Sequence, residues 1–261
     1  MCTLVVLNEH VEGYPLIVAA NRDERYNRKS RPPETSHIGD NDIVRPWDEE
    51  RDGTWMGVAR EGWLVGITNQ DDGTHDPNGL SRGKVVSDCL KAACHAGVAR
   101  IVSALDRDRY NPFNLVFGRP GAMMVCRVWA NHELEFEPLA PGVHVISNDC
   151  WATRYKTKTD HAARVAANMT EGAKSIESVV DGLFHALGDH GSNQPDDPFQ
   201  SLCVHAEEHA FGTRSSSIIT VSNSMEVDYW YSEGHPCQST GVQLVAKLPP
   251  RSAYDSKQPP G

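Results

Sequence analysis

The first residue in this chain whose type and position suit it to chemistry is Cys2. It opens an apolar run, Cys2-Thr3-Leu4-Val5-Val6-Leu7, that reads as a buried strand. If Met1 is removed, that strand begins with a thiol and a free amine on one carbon, so a nucleophile arrives with its own general base. Cys is small enough for the aminopeptidase that trims initiator methionines, and a free α-amine titrates near ~8, close enough to neutrality to accept the thiol proton. The competing reading is structural, because free Cys is among the most buried residue types.

The elements that would position such a terminus follow from pattern. Tyr14 to Ala20 forms a second apolar run across the Glu12-Gly13 turn, which predicts a hairpin. The polar stretch from Arg22 to Arg51 is expected to be a long functional loop. Thr54–Val58 and Trp63–Thr68 predict paired strands, with Asn69 at the exit of the second. Helical spacing runs from Arg82 to Ala96, capped by Ser81 and stopped at Gly97, and a short helix is expected over Val98–Leu105. Strands are expected at 114–118, 123–129, 134–137, 143–146, 201–205, 216–221, 227–231 and 242–246, and helices at 160–169 and 176–187. Strands at both ends with helical blocks between them fit an α+β layered domain over 1–248, and the proline-bearing segment 249–261 is expected to be a disordered tail.

Composition narrows the function classes. With 39% hydrophobic and 23% charged residues, a chain of 261 residues can bury a sizeable core. The net charge of −10, with no long Lys/Arg block, argues against nucleic acid or an anionic membrane as the main partner. No apolar stretch approaches the ~20 residues that span a bilayer, and the start lacks the pattern of a signal peptide, so a cytoplasmic protein is expected. The seven cysteines, Cys2, Cys89, Cys94, Cys126, Cys150, Cys203 and Cys237, are scattered and free of CxxC spacing. They therefore predict neither a disulfide framework nor a thiolate zinc cage. His205-Ala206-Glu207-Glu208-His209 matches H-x-x-E-H, but no helical periodicity surrounds it and no third ligand stands out, so no metal is expected there. Cys89, Cys94 and His95 miss the spacing of haem attachment, and the remaining histidines form no cluster along the chain.

Asn21-Arg22-Asp23-Glu24 follows the second apolar run, and with it the chain resembles the NRDE family, also called the transport and Golgi organisation protein 2 family. The supporting segments are Met1-Cys2-Thr3, Ala19 to Glu24, Gly53-Thr54-Trp55-Met56-Gly57, Thr68-Asn69, Ser81-Arg82-Gly83, Phe113-Asn114-Leu115, Ser147-Asn148 and Gly212 to Ser216, in family order up to about residue 235. That family is similar to the N-terminal nucleophile hydrolases, which implies a four-layer αββα fold of two antiparallel sheets covered by helices. The relatives' Gly-Arg-Asn-x-Asp motif places its Asn and Asp on Asn21 and Asp23, with the Arg displaced to Arg22. Residues two apart on a strand share a face, so Asn21 and Asp23 are both expected near the amino terminus.

The resemblance implies roles. Cys2 attacks a carbonyl, its amine carries the proton, and Asp23 holds the amine. Asn148, and more loosely Asn69, donate to the oxyanion, while Arg214 sits beside the thiol and lowers its pKa. The family's Trp-Pro-Lys is absent; Arg154-Tyr155-Lys156 occupies its region. The enzyme reading is thus an amidohydrolase or acyltransferase acting on an acyl amide or thioester, with no cofactor required. Eukaryotic members have been linked to haem trafficking and to lipid or acyl-CoA metabolism, so the rival reading is a carrier of haem or acyl-CoA, in which Cys2 itself could be a haem ligand.

Overall fold

The computed structural model describes residues 2–38, 41–70, 75–130, 132–148, 156–191 and 197–250. In chain order, the first half contains strands β1 (Cys2–Val11), β2 (Tyr14–Arg25), β3 (Ser30–Ile38), β4 (Asn41–Asp48), β5 (Met56–Ala59) and β6 (Leu64–Asn69), then helices α1 (Arg82–Ala92) and α2 (His95–Ser103). Strands β7 (Phe113–Arg119), β8 (Ala122–Val128), β9 (Glu135–Pro138) and β10 (Gly142–Ile146) lead to helices α3 (Lys156–Thr170) and α4 (Ile176–Leu187). The chain closes with β11 (His205–Ala206), β12 (Phe211–Val221), β13 (Val227–Glu233) and β14 (Gln243–Leu248).

Period-two alternation sorts these residues into layers. Along β1 and β2, Leu4, Val6, Leu16 and Val18 enter a central core, whereas Val5, Leu7, Ile17 and Ala19 enter a second core with Val180 and Leu183 of α4. The central core is completed from the other sheet by Val44, Met56, Leu64 and Val116. That sheet's opposite face, with Val65, Leu115 and Phe117, packs on Val86, Leu90 and Val98 of α1 and α2. The result is an αββα sandwich. One sheet runs β10-β1-β2-β12-β13-β14, with β11 added on β12; the other runs β3 to β9 in chain order. The described pairs in both sheets are antiparallel.

Three expectations are corrected. The stretch Arg22–Arg51 is not a loop but the end of β2 and two strands of the second sheet. Strand β3 carries Pro32 and Pro33 because it lies at a sheet edge, and the register shifts there between Arg31 and Glu34. The helix expected to run to Ala96 stops at Ala92, where Ala93 turns left-handed (φ 45°) and its amide bonds the Cys89 carbonyl; α2 then starts afresh with the Gly97 amide donating to Cys94 Sγ at 3.4 Å. The strand expected over 201–205 shrinks to the two residues of β11, because the Leu202 and Cys203 amides bond the Asp189 carbonyl instead of a ladder partner. Residues 251–261 of the expected tail and Cys150 lie outside the described residues.

Two glycines join the layers near the site. A Cβ on Gly53 would lie 2.6 Å from the carbonyl carbon of Gly83, so the turn before β5 and the first turn of α1 touch backbone to backbone. The Thr54 amide bonds the Gly83 carbonyl at 3.3 Å across this contact.

Candidate active site

Strand register assembles the site. Residue 2 stands opposite Arg22 in the β1–β2 ladder. On the other flank Leu4 stands opposite Ile146, and the antiparallel register carried two residues further sets Asn148 level with Cys2, just past the end of β10. In the β2–β12 ladder, Asp23 pairs with Thr213 and Arg22 with Ser215, which makes Arg214 the extra residue of a β-bulge. Residues distant in sequence thus meet at one end of one sheet.

Asn21 and Asp23 share the face of β2 that packs toward α3 and α4. The Asn21 amide donates to the carbonyls of Leu187 and Leu202, both at 2.9 Å, and its oxygen accepts from Ser216 at 2.7 Å. It braces the exit of α4 and the 201–205 segment against the sheet. Asp23 is 1% exposed and accepts from Thr213 Oγ1 at 2.7 Å. Burial pushes its carboxyl above the ordinary range, against the Lys158 ammonium and the Thr213 hydroxyl, which both favour the charged form. Lys158 is itself buried on α3 and donates to the Phe199 carbonyl at 3.3 Å.

A buried polar network sets the turn that carries Asn148. The Ser147 carbonyl accepts from Thr68 Oγ1 and from Asn114 Nδ2, each at 2.9 Å. Asn114 also donates to Thr68 Oγ1 at 3.0 Å and accepts from Gln70 at 2.7 Å, so the ends of β6, β7 and β10 are tied together across the two sheets. Asn148 is buried beside this network. Thr68, not Asn69, faces the turn; Asn69 falls on the next pleat and lines an open cleft.

That cleft measures about 450 Å³, and its walls include Arg22, Asp23, Asn69 and Trp55. Arg22 is 4% exposed; its guanidinium lies 4.4 Å from the Trp55 ring centre and 3.6 Å from Asp48. Arg28 pairs with Asp48 and Glu24, both at 2.8 Å, so the arginines of this wall are largely balanced by carboxylates. The Arg214 side chain on β12 reaches past the end of β2: its guanidinium donates to the Tyr26 and Arg25 carbonyls and sits over the Tyr26 ring. The structure therefore brings Arg22, Asp23 and Asn148 to the start of β1, places Asn69 on the cleft wall, and commits Asn21 and Arg214 to bracing bonds.

Two groups escaped sequence reasoning. Lys158 carries no motif, and a lysine on an amphipathic helix ordinarily faces solvent. His190, Cys203, His205 and Cys237 show no short spacing, yet their ligand atoms all lie within 4.8 Å of one another. Side chains scattered along the chain are thus gathered by the fold. His209 of the H-x-x-E-H run lies apart from them, its tilted ring 5.7 Å from that of Phe199.

Two packed antiparallel sheets between helix layers make up a fold of the N-terminal nucleophile hydrolase type. A Caenorhabditis elegans N-acylethanolamine-hydrolysing acid amidase ortholog superposes with a TM-score of 0.55 at 11% identity, covering 94% of this chain and all (100%) of the other. A C2A mutant of conjugated bile acid hydrolase from Clostridium perfringens gives 0.54 at 9% identity, covering 94% and 92%. Within that fold class, the chain belongs to the Transport and Golgi organisation 2 family, whose model matches residues 1–233. The Transport and Golgi organization protein 2 homolog of Bos taurus is 26% identical over 83% of this chain and 86% of its own length. The Drosophila melanogaster Transport and Golgi organization protein 2 is 24% identical over 85% and 87%. No helix among the described residues is long and apolar enough to cross a membrane.

Proposed function

We propose that this chain is a cysteine N-terminal nucleophile hydrolase or acyltransferase acting on an acyl amide or thioester. The observation that carries the reading is the register that sets residue 2 opposite Arg22, with the buried Asp23 one residue on and the buried Asn148 two residues past the end of β10, the strand that flanks β1 on its other side. After loss of Met1, the Cys2 sulfur attacks the substrate carbonyl while its α-amine takes the thiol proton and passes it to the leaving amine or thiolate. Water then releases the acyl group from sulfur by the same proton path in reverse. Asp23 holds the ammonium form of the terminus, and Lys158 keeps Asp23 ionised in a buried setting. The Asn148 carboxamide receives the developing oxyanion. Arg22 supplies the positive charge that favours the thiolate, since the Arg214 guanidinium is held at the Arg25 and Tyr26 carbonyls. Both solved relatives named above are described as hydrolases, one of N-acylethanolamines and one of conjugated bile acids, which supports an acyl amide as substrate class.

The test uses the purified full chain. Intact-mass spectrometry is expected to show Met1 absent, and screening against acyl amides, acyl-CoA and acyl-homoserine lactones is expected to give turnover with an acyl adduct on Cys2. Cys2→Ala abolishes both. Met1 retained on a folded protein that acquires no adduct, while titrated haem binds in proportion to the chain, overturns this reading in favour of a carrier.

A further inference from the structure

Three separate segments converge behind Asp23. His190 follows α4, Cys203 and His205 flank the start of β11, and Cys237 lies between β13 and β14. We infer that these four side chains form a structural zinc site of the Cys2His2 type, on the helix side of the sheet and distinct from the cleft.

The geometry points to a tetrahedral cation. Zn–S bonds of about 2.3 Å and Zn–N bonds of about 2.0–2.1 Å require tetrahedron edges of about 3.3–3.8 Å. The Cys203 and Cys237 sulfurs are 3.5 Å apart, Cys203 Sγ lies 3.4 Å from His205 Nε2, and His205 Nε2 lies 3.1 Å from Cys237 Sγ. His190 completes the set, its ring 5.2 Å from that of His205. A change of a few tenths of an ångström brings the three edges among Cys203, Cys237 and His205 to tetrahedral values, and His190, within 4.8 Å of the others, swings inward to close the fourth corner. Two thiolates with two imidazoles select Zn²⁺ over Mg²⁺ or Ca²⁺, which need oxygen donors. Coordination replaces the two S–H protons, which go to solvent, and leaves the four-ligand complex neutral with no change of oxidation state.

The surroundings are built to hold the ligands. The Asp189 carbonyl accepts from the Leu202 and Cys203 amides at 3.1 and 3.0 Å, fixing Cys203 against the residue before His190. The His235 ring stacks on His205 at 4.0 Å between centres. Four protein ligands leave no open position, so the metal would hold structure rather than take part in chemistry. Its effect would reach the candidate site, because Leu202 and Val204, on either side of Cys203, bond Asn21 and Thr213, the latter being the partner of Asp23.

The experiment is Co²⁺ and Zn²⁺ binding to the reduced, chelator-treated full chain. The expected result is one metal per chain, with Co²⁺ giving the visible bands of a tetrahedral site and a thiolate-to-cobalt charge-transfer band, and Zn²⁺ displacing Co²⁺ and raising Tm. Cys203→Ser and Cys237→Ser lose the charge-transfer intensity, the exposed His190→Ala weakens binding without unfolding the chain, and Cys2→Ala leaves the spectrum unchanged. Absence of Co²⁺ bands in the folded, reduced wild-type protein overturns the inference. So does a spectrum that survives in the double variant C203S/C237S.

Discussion

At the scale of single residues, Asp23 and Lys158 carry the sharpest test. Burial raises the Asp23 carboxyl above its ordinary range, so the folded chain binds a proton there more readily than the unfolded one. The stabilising effect of that proton is complete below the ordinary carboxyl pKa and is lost as pH rises through the raised value. Asp23→Asn is expected to remove this slope, making Tm flatter with pH on the acid side of neutrality, as measured by melting curves across pH. Lys158→Met removes the opposing charge, raises the Asp23 pKa further, and moves the acid limb of the kcat/KM profile to higher pH. Other thiols provide an internal contrast: burial pushes Cys89 and Cys126 up to about 12, so both stay protonated and inert at neutrality.

Elements decide where those residues stand, and they also show what pattern alone can and cannot reveal. The unbroken apolar runs Leu4–Leu7 and Leu16–Ala19 expose β1 and β2 at once, because each strand is buried on both faces in the αββα sandwich. Strand β3 stays hidden, since the sheet edge tolerates prolines and exposed charges that read as loop, and in β4 Arg45 and Pro46 interrupt the apolar pair Ile43-Val44. Asp23 and Asn148 were legible through their motifs, whereas Lys158 and the His190–Cys237 cluster depend on contacts between segments that no spacing rule encodes. Asn114 shows how one element holds another's functional end: it joins β6, β7 and β10 through Thr68, Gln70 and Ser147. Asn114→Ala strands these buried partners at about 1–3 kcal/mol each. Its urea midpoint is expected to fall at unchanged slope, and kcat with it, because Asn148 follows the released Ser147.

For the molecule as a whole, the cleft lies where the two sheets and α1 meet, and its shape depends on how closely those layers approach. Gly53→Ala would drive a methyl into the Gly83 backbone, an overpacking that costs about 1–3 kcal/mol. The expected outcome is a lower Tm together with a raised KM, since the displaced turn carries Thr54 and Trp55 into the cleft wall. A drop in Tm with KM unchanged would separate the glycine contact from ligand binding. Where two bare α-carbons face each other, the spacing of the layers beneath the cleft is set by backbone contact, and any side chain added there must push them apart. A guest of different girth would therefore be fitted by changing side chains at the rim, such as Trp55 and Leu80, and not the paired glycines.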